Sequence, residues 1–264
     1  MKGSLSIVGL GLYDEQGISL RGLAEAKDAD LVYLELYTSL MPAFSKESLE
    51  RLIGKRVIEV SRSDLEEDAE TGILRLSHDQ KVCLLVPGDP FVATTHVSLR
   101  IAAEKAGIPT RVIHAASIAS AIPGAIGLQS YKFGRSVSIP FPQGTTLPET
   151  PYIVIRENKI RGLHTLVFLD IDLEDSRFMS ISEALSILFQ LEERRREKVV
   201  EDKTLAVGIA RLGSPGAEIY AGKIGDLLDH EFGAPPHVIV FPGDLHFLER
   251  EALKAFAHLS CESS

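Results

Sequence analysis

Short apolar runs alternate with helical patterns along the whole chain, and few folds accommodate that rhythm. In the first half, Leu5–Val8, Leu31–Leu36, Val82–Val86 and Arg111–Ile113 read as strands. Between them, Ser45 is placed to cap a helix bearing Leu49, Leu52 and Ile53, which Gly54 closes. Thr95 starts another that ends at Gly107. Strand–helix–strand alternation builds a parallel sheet with helices on its faces. The second half has a different texture. Pro140, Pro142, Pro148 and Pro151 crowd a stretch that reads as loop, and strands recur at Thr165–Ile171, Thr204–Ala210, Glu218–Ala221 and Val238–Phe241. Ser180 and Glu183 form the S-x-x-E pattern of a capping box, ahead of a helix bearing Ile181, Ala184, Leu185, Leu188 and Leu191. The expectation is a two-domain α/β chain: an N-terminal, mostly parallel domain over residues 1–115 and a C-terminal domain with a mixed sheet over residues 116–264.

Composition narrows the function. The chain carries 28 Lys and Arg against 37 Asp and Glu, a net charge of −9. Phosphate contacts need clustered cations, so an acidic chain argues against nucleic acid as a partner. The densest basic run, Arg194–Arg196, is flanked by Glu192, Glu193 and Glu197 and reads as a solvated helix face. Of two cysteines, Cys83 lies inside an apolar run and Cys261 in the tail, with no spacing for a metal site or a disulfide framework. No apolar run is long enough to span a bilayer, and Met1–Leu5 leads into a strand without a signal-type apolar region. The expectation is a cytoplasmic protein without a membrane partner or a metal.

Chemistry would sit where strands end. Gly9-Leu10-Gly11-Leu12-Tyr13-Asp14 follows the first strand. Its glycines permit either a plain turn or close approach to a ligand. Asp14 stands where a dinucleotide fingerprint wants its third glycine, which tells against nicotinamide binding. Pro87-Gly88-Asp89-Pro90 is either a turn or a ligand loop. Ser117 either contacts a ligand or caps the next helix, and His237 is either a structural or a functional histidine. The nucleophile elbow G-x-S-x-G, the phosphate loop G-x-x-x-x-G-K-[ST] and the H-E-x-x-H motif are all missing from the chain.

The ordered set of segments is more specific than any one of them. It comprises Gly9–Asp14, Tyr37-Thr38-Ser39, Pro87–Pro90, Ala93-Thr94-Thr95-His96, Tyr131-Lys132-Phe133-Gly134, Gly162–Asp170 and Pro235–Gly243. In that order they resemble the diphthine synthase family, within the tetrapyrrole-methylase-like class of S-adenosylmethionine (SAM)-dependent methyltransferases. The wider class usually carries glycine-proline-glycine after its first strand. Here Leu12-Tyr13-Asp14 occupies that stretch, which lowers the case for a corrin-pathway enzyme. The resemblance implies two α/β domains with SAM held in the cleft between them, and a homodimer. It implies methylation of the amino group of a 3-carboxy-3-aminopropyl histidine on translation elongation factor 2, with S-adenosylhomocysteine as co-product. It further implies SAM contacts from Leu12, Asp89, Val92, Ser117, Ile118, Leu169, Leu212 and His237. It identifies no catalytic residue. The alternative is another methyltransferase of the class, acting on a corrin precursor or on ribosomal RNA.

Overall fold

A computed structural model describes residues 3–144, 146–173 and 175–260. Cys261 lies outside the described residues. The chain divides after Ile118 into two compact units.

The N-terminal unit is built on five strands, β1 (Ser4–Gly9), β2 (Leu31–Glu35), β3 (Ile58–Val60), β4 (Lys81–Val86) and β5 (Thr110–Ile113). They pair in parallel in the order β3-β2-β4-β1-β5. Side chains alternate across a strand, so one strand feeds two cores. Leu5, Ile7, Val82, Leu84 and Val86 enter one. Val8, Cys83 and Leu85 enter the other. Helices α1 (Leu20–Asp28) and α2 (Lys46–Ile53) cover the Val8 face through Ala26, Leu49 and Ile53. Helices α3 (Arg62–Glu66), α4 (Ile73–Ser77) and α5 (Val97–Lys105) cover the Leu5 face through Leu65, Ile73 and Leu99. Cys83 is a buried free thiol, and burial pushes its pKa up.

The helix signals in this unit translate directly at α2. Ser45 Oγ accepts from Ser48 N at 3.2 Å, and Gly54 ends the helix at φ +79°. At α5 the sequence expectation is corrected. Thr95 does not start the helix, because its hydroxyl donates to Glu66 at 2.7 Å, and His96 takes the cap position. Strand β3 has no counterpart in the sequence reading. Ile58 and Glu59 are both exposed, so it lacks the alternation that marks a half-buried strand.

Helix α6 (Ile118–Ile126) leads on to the C-terminal strands β6 (Val137–Ile139), β7 (Thr165–Leu169), β8 (Ile171–Asp172), β9 (Arg177–Phe178), β10 (Leu205–Ala210), β11 (Glu218–Lys223) and β12 (His237–Phe241). Five of them form a sheet in the order β11-β10-β12-β7-β6. It is mixed, as expected: β6 runs parallel to β7 and the other pairs are antiparallel. Val167, Ala206 and Ile239 from this sheet pack with Tyr152 and Ile155 of α7 (Glu149–Ile160) and with Ala184, Leu185, Leu188 and Leu191 of α8 (Ile181–Arg195). Helices α9 (Ile224–Asp229) and α10 (Phe247–Phe256) complete the unit.

Two expectations are revised here. The proline-rich stretch is not loop throughout, since Pro148 caps α7 and Pro151 lies in its first turn. A first-turn residue has no carbonyl four positions back within the helix, so proline loses nothing there. The run Thr165–Ile171 is not one strand. Asp170 interrupts it, its Oδ2 accepting from Phe141 N at 2.8 Å and its Oδ1 from Ile171 N at 3.1 Å. The capping box of α8 forms as read, with Glu183 N donating to Ser180 Oγ at 3.2 Å and Ser180 N to Glu183 Oε2 at 2.8 Å.

Candidate functional site

Strands β4, β1 and β5 end side by side in the N-terminal unit, with Gly9 in register with Val86 and Val8 with Ile113. The chain leaves β1 toward α1 on one face and leaves β4 toward α5 on the other. Where neighbouring connections diverge in this way, a parallel sheet opens a crevice at the carboxyl ends of its strands. The two glycine loops meet there. Gly11 N donates to Gly88 O at 3.2 Å, and Gly88 N donates to Gly11 O at 2.8 Å. A Cβ at Gly9 would come within 2.5 Å of Gly88 O and 2.8 Å of the Ala115 methyl, so no side chain fits between these loops.

Asp89 is the buried polar group of this junction. Its Oδ1 accepts from Phe91 N at 3.1 Å, and its Oδ2 from His114 Nδ1 at 2.7 Å and Ala115 N at 3.3 Å. The carboxylate therefore ties the loop after β4 to the loop after β5. Leu12 and Val92 lie half-buried on the two glycine loops. Buried Ser117 stands just before α6, whose first residue is Ile118. Five of the eight expected contact residues thus gather around the ends of three adjacent strands.

The other three gather in the C-terminal unit. Antiparallel pairing sets Ala210, the last residue of β10, against His237, the first of β12, and sets Val238 against Phe168. Leu169, Leu212 and His237 therefore share one end of the sheet. His237 is buried, and its Nε2 donates to Gly233 O at 3.1 Å. That bond leaves Nδ1 as an acceptor, and Nδ1 is buried with no partner. Burial, reinforced by the charge of Arg211, holds the ring's pKa below the ordinary histidine value, so the acceptor stays bare at neutral pH. Ser214 Oγ is also buried without a partner. Arg211, at φ +50°, braces this end, with Nε donating to Gly216 O at 3.1 Å and Nη1 to Phe232 O at 2.8 Å.

A buried polar pair in the N-terminal unit escaped the sequence reading. Glu35 and His96 meet at 3.1 Å, both almost fully buried. The available signal was a glutamate inside the apolar run Leu31–Leu36, where a charge has to find a donor. Among the described residues, no group of three or more His, Cys, Asp or Glu is arranged to hold a metal ion.

The sequence model of the tetrapyrrole (corrin/porphyrin) methylases matches residues 4–228. A diphthine synthase of Methanosarcina mazei is 51% identical over 258 residues, covering 96% of each chain. A diphthine synthase of Methanocella arvoryzae is 48% identical over 255 residues, covering 97% of this chain and 98% of the other. A crystal structure of diphthine synthase superposes with a TM-score of 0.89 at 40% identity, covering 98% of both chains. Near-complete coverage at this identity places the chain in the diphthine synthase family of tetrapyrrole methylases.

Proposed function

We propose that this chain methylates the amino group of the 3-carboxy-3-aminopropyl histidine of translation elongation factor 2, drawing the methyl groups from SAM. The observation that carries the reading is the match to diphthine synthases across almost the entire chain. The site residues fit the cofactor. His237 Nδ1 is a buried acceptor awaiting a donor, which an amino or hydroxyl group of an adenosine would supply. Gly88 lies only half-buried at the crevice, where an added Cβ would meet nothing within 4 Å, and Asp89 places negative charge beside it. In this reading Leu12, Asp89, Val92, Ser117, Ile118, Leu169, Leu212 and His237 contribute to holding SAM.

When bound, SAM supplies a methyl carbon on a positive sulfur: each transfer forms an N–C bond as the C–S bond breaks, yielding S-adenosylhomocysteine and one proton. The reactivity belongs to the donor, so the protein's residues bind, orient and exclude water. Leu12, Val92, Leu169 and Leu212 suit water exclusion. Asp89 suits electrostatic complement to a positive amino group, since Oδ1, with one bond from Phe91 N, retains acceptor capacity, whereas Oδ2 already takes two. The protein is further proposed to act in the cytoplasm as a homodimer, with the elongation factor as its protein partner. No helix among the described residues is long and apolar enough to cross a membrane.

The test is incubation with SAM and elongation factor 2 bearing the aminocarboxypropyl histidine, followed by mass spectrometry of the modified peptide. Successive increments of one methyl unit on that histidine are expected. An unchanged peptide, with SAM binding verified by calorimetry, would overturn the acceptor and direct attention to corrin precursors or RNA.

A further inference from the structure

We propose that Glu35 and His96 are positioning residues that set the loop from Asp89 to Val92 for the cofactor; this rests on the SAM reading of that loop. Strand β2 ends at Glu35, one strand over from β4, whose end the loop continues. The carboxylate is fully buried and carries three bonds. Oε1 accepts from His96 Nε2 at 3.1 Å and from Thr38 Oγ1 at 2.5 Å, and Oε2 accepts from Thr38 N at 3.1 Å. Removing a carboxylate from water is costly, and an apolar residue would pack at a strand end without that cost. What the hydrogen-bonded pair adds is direction: it holds His96 in one place and one orientation.

His96 in turn is joined to the loop by a run of hydrogen bonds. Its backbone N donates to Thr94 Oγ1 at 3.0 Å, and Thr94 Oγ1 donates to Pro90 O at 3.2 Å. Val92 N donates to Asp89 O at 3.2 Å. Ala93 between them adopts φ +56°, a conformation that an alanine holds only when its surroundings impose it. The far end of the loop is already anchored through Asp89 to His114 and Ala115. Glu35 and His96 thus fix the second end of a segment whose first end is fixed elsewhere. The ring of Tyr37 stands edge-on to His96 at 6.1 Å, with Arg62 over its face at 5.3 Å, closing the pair in. Both residues are too deeply buried to touch a substrate, so their effect passes through the loop.

The experiment uses the full chain, with S-adenosylhomocysteine as the calorimetric ligand and initial rates measured against SAM. His96→Leu removes the donor. It is expected to raise Kd for S-adenosylhomocysteine and KM for SAM about tenfold while leaving kcat within about twofold. His96→Gln places an amide N–H near the position of Nε2 and is expected to restore both constants. Tyr152→Phe, which removes a hydroxyl bond to Glu192 in the C-terminal unit, serves as the stability control and should leave Kd unchanged. Should His96→Leu fail to fold, Glu35→Gln replaces it, with a smaller rise in Kd expected. An unchanged Kd in the folded variant, a fall in kcat at constant KM, or an equal loss of affinity in Tyr152→Phe would each overturn the assignment. Failure of the wild-type chain to bind S-adenosylhomocysteine would instead refute the cofactor reading on which it rests.

Discussion

Glu249 shows what a single residue contributes in this protein. Its carboxylate is almost fully buried and accepts from Gln129 N at 2.9 Å, His164 Nε2 at 2.9 Å, Lys132 Nζ at 2.5 Å and His246 N at 2.8 Å. His164 is held from its other side by Gly243 N, which donates to Nδ1 at 2.9 Å, so Nε2 carries the hydrogen. Burial alone would raise the carboxyl pKa; the four donors outweigh it and hold the value at about 2, below the ordinary 4.5. A carboxylate depressed by folding stabilises the fold above its unfolded pKa and loses that contribution as pH falls through the folded value. Stability should therefore decline from pH 4.5 toward about 2 in the wild type. Glu249→Gln should cost about 3–5 kcal/mol at neutral pH, as breaking a buried ion pair does, and should flatten the acid decline. Urea titrations at stepped pH measure both. At His237 the sign concerns binding. Protonation puts a hydrogen on the bare Nδ1 acceptor, and burial keeps that from happening until the pH is below the ordinary histidine range. SAM affinity should be level near neutrality and fall on acidification. His237→Ala should weaken it ~tenfold, or about 1.4 kcal/mol, by calorimetry.

At the scale of elements, local signals and tertiary demands separate cleanly. The capping box of α8 and the Ser45–Gly54 brackets of α2 form as their residues indicate, because each needs only neighbours within one helical turn. Ser180→Ala should accordingly cost about 1 kcal/mol in a denaturation experiment, since the bonds its hydroxyl makes to Glu183 stay within one helical turn. Thr95 carries the same kind of local signal and loses it to Glu66, a residue 29 positions away. Pro148 and Pro151 read as loop because proline breaks helices in general, whereas their place in the first turn of α7 depends on where that helix begins. Strand β3 exists because β2 offers it an edge, with Tyr33 facing Ile58 and Glu35 facing Val60, and nothing in its own side chains announces that.

For the whole molecule, ligand binding and folding are linked. Any ligand that binds only the folded chain stabilises it, by ~2.7 kcal/mol at a hundredfold excess over Kd. For a chain of this length that corresponds to a rise in Tm of roughly 5–10 °C with S-adenosylhomocysteine, measurable by calorimetric scanning. A thermogram indifferent to the ligand would count against the cofactor. The sequence by itself determined the fold class and the positions of most strand ends. It did so because short apolar runs and capping chemistry are local properties, legible in residues such as Leu5, Ile7, Ser45 and Ser180. It also placed Asp89 and His237 at strand ends. Only the tertiary structure decided what those residues are: Asp89 a tie between two loops, His237 a buried ring with one unanswered nitrogen, Glu35 and His96 a pair at all. Those outcomes depend on partners between 4 and 61 positions away along the chain, and strand order and register, rather than local pattern, bring such partners together.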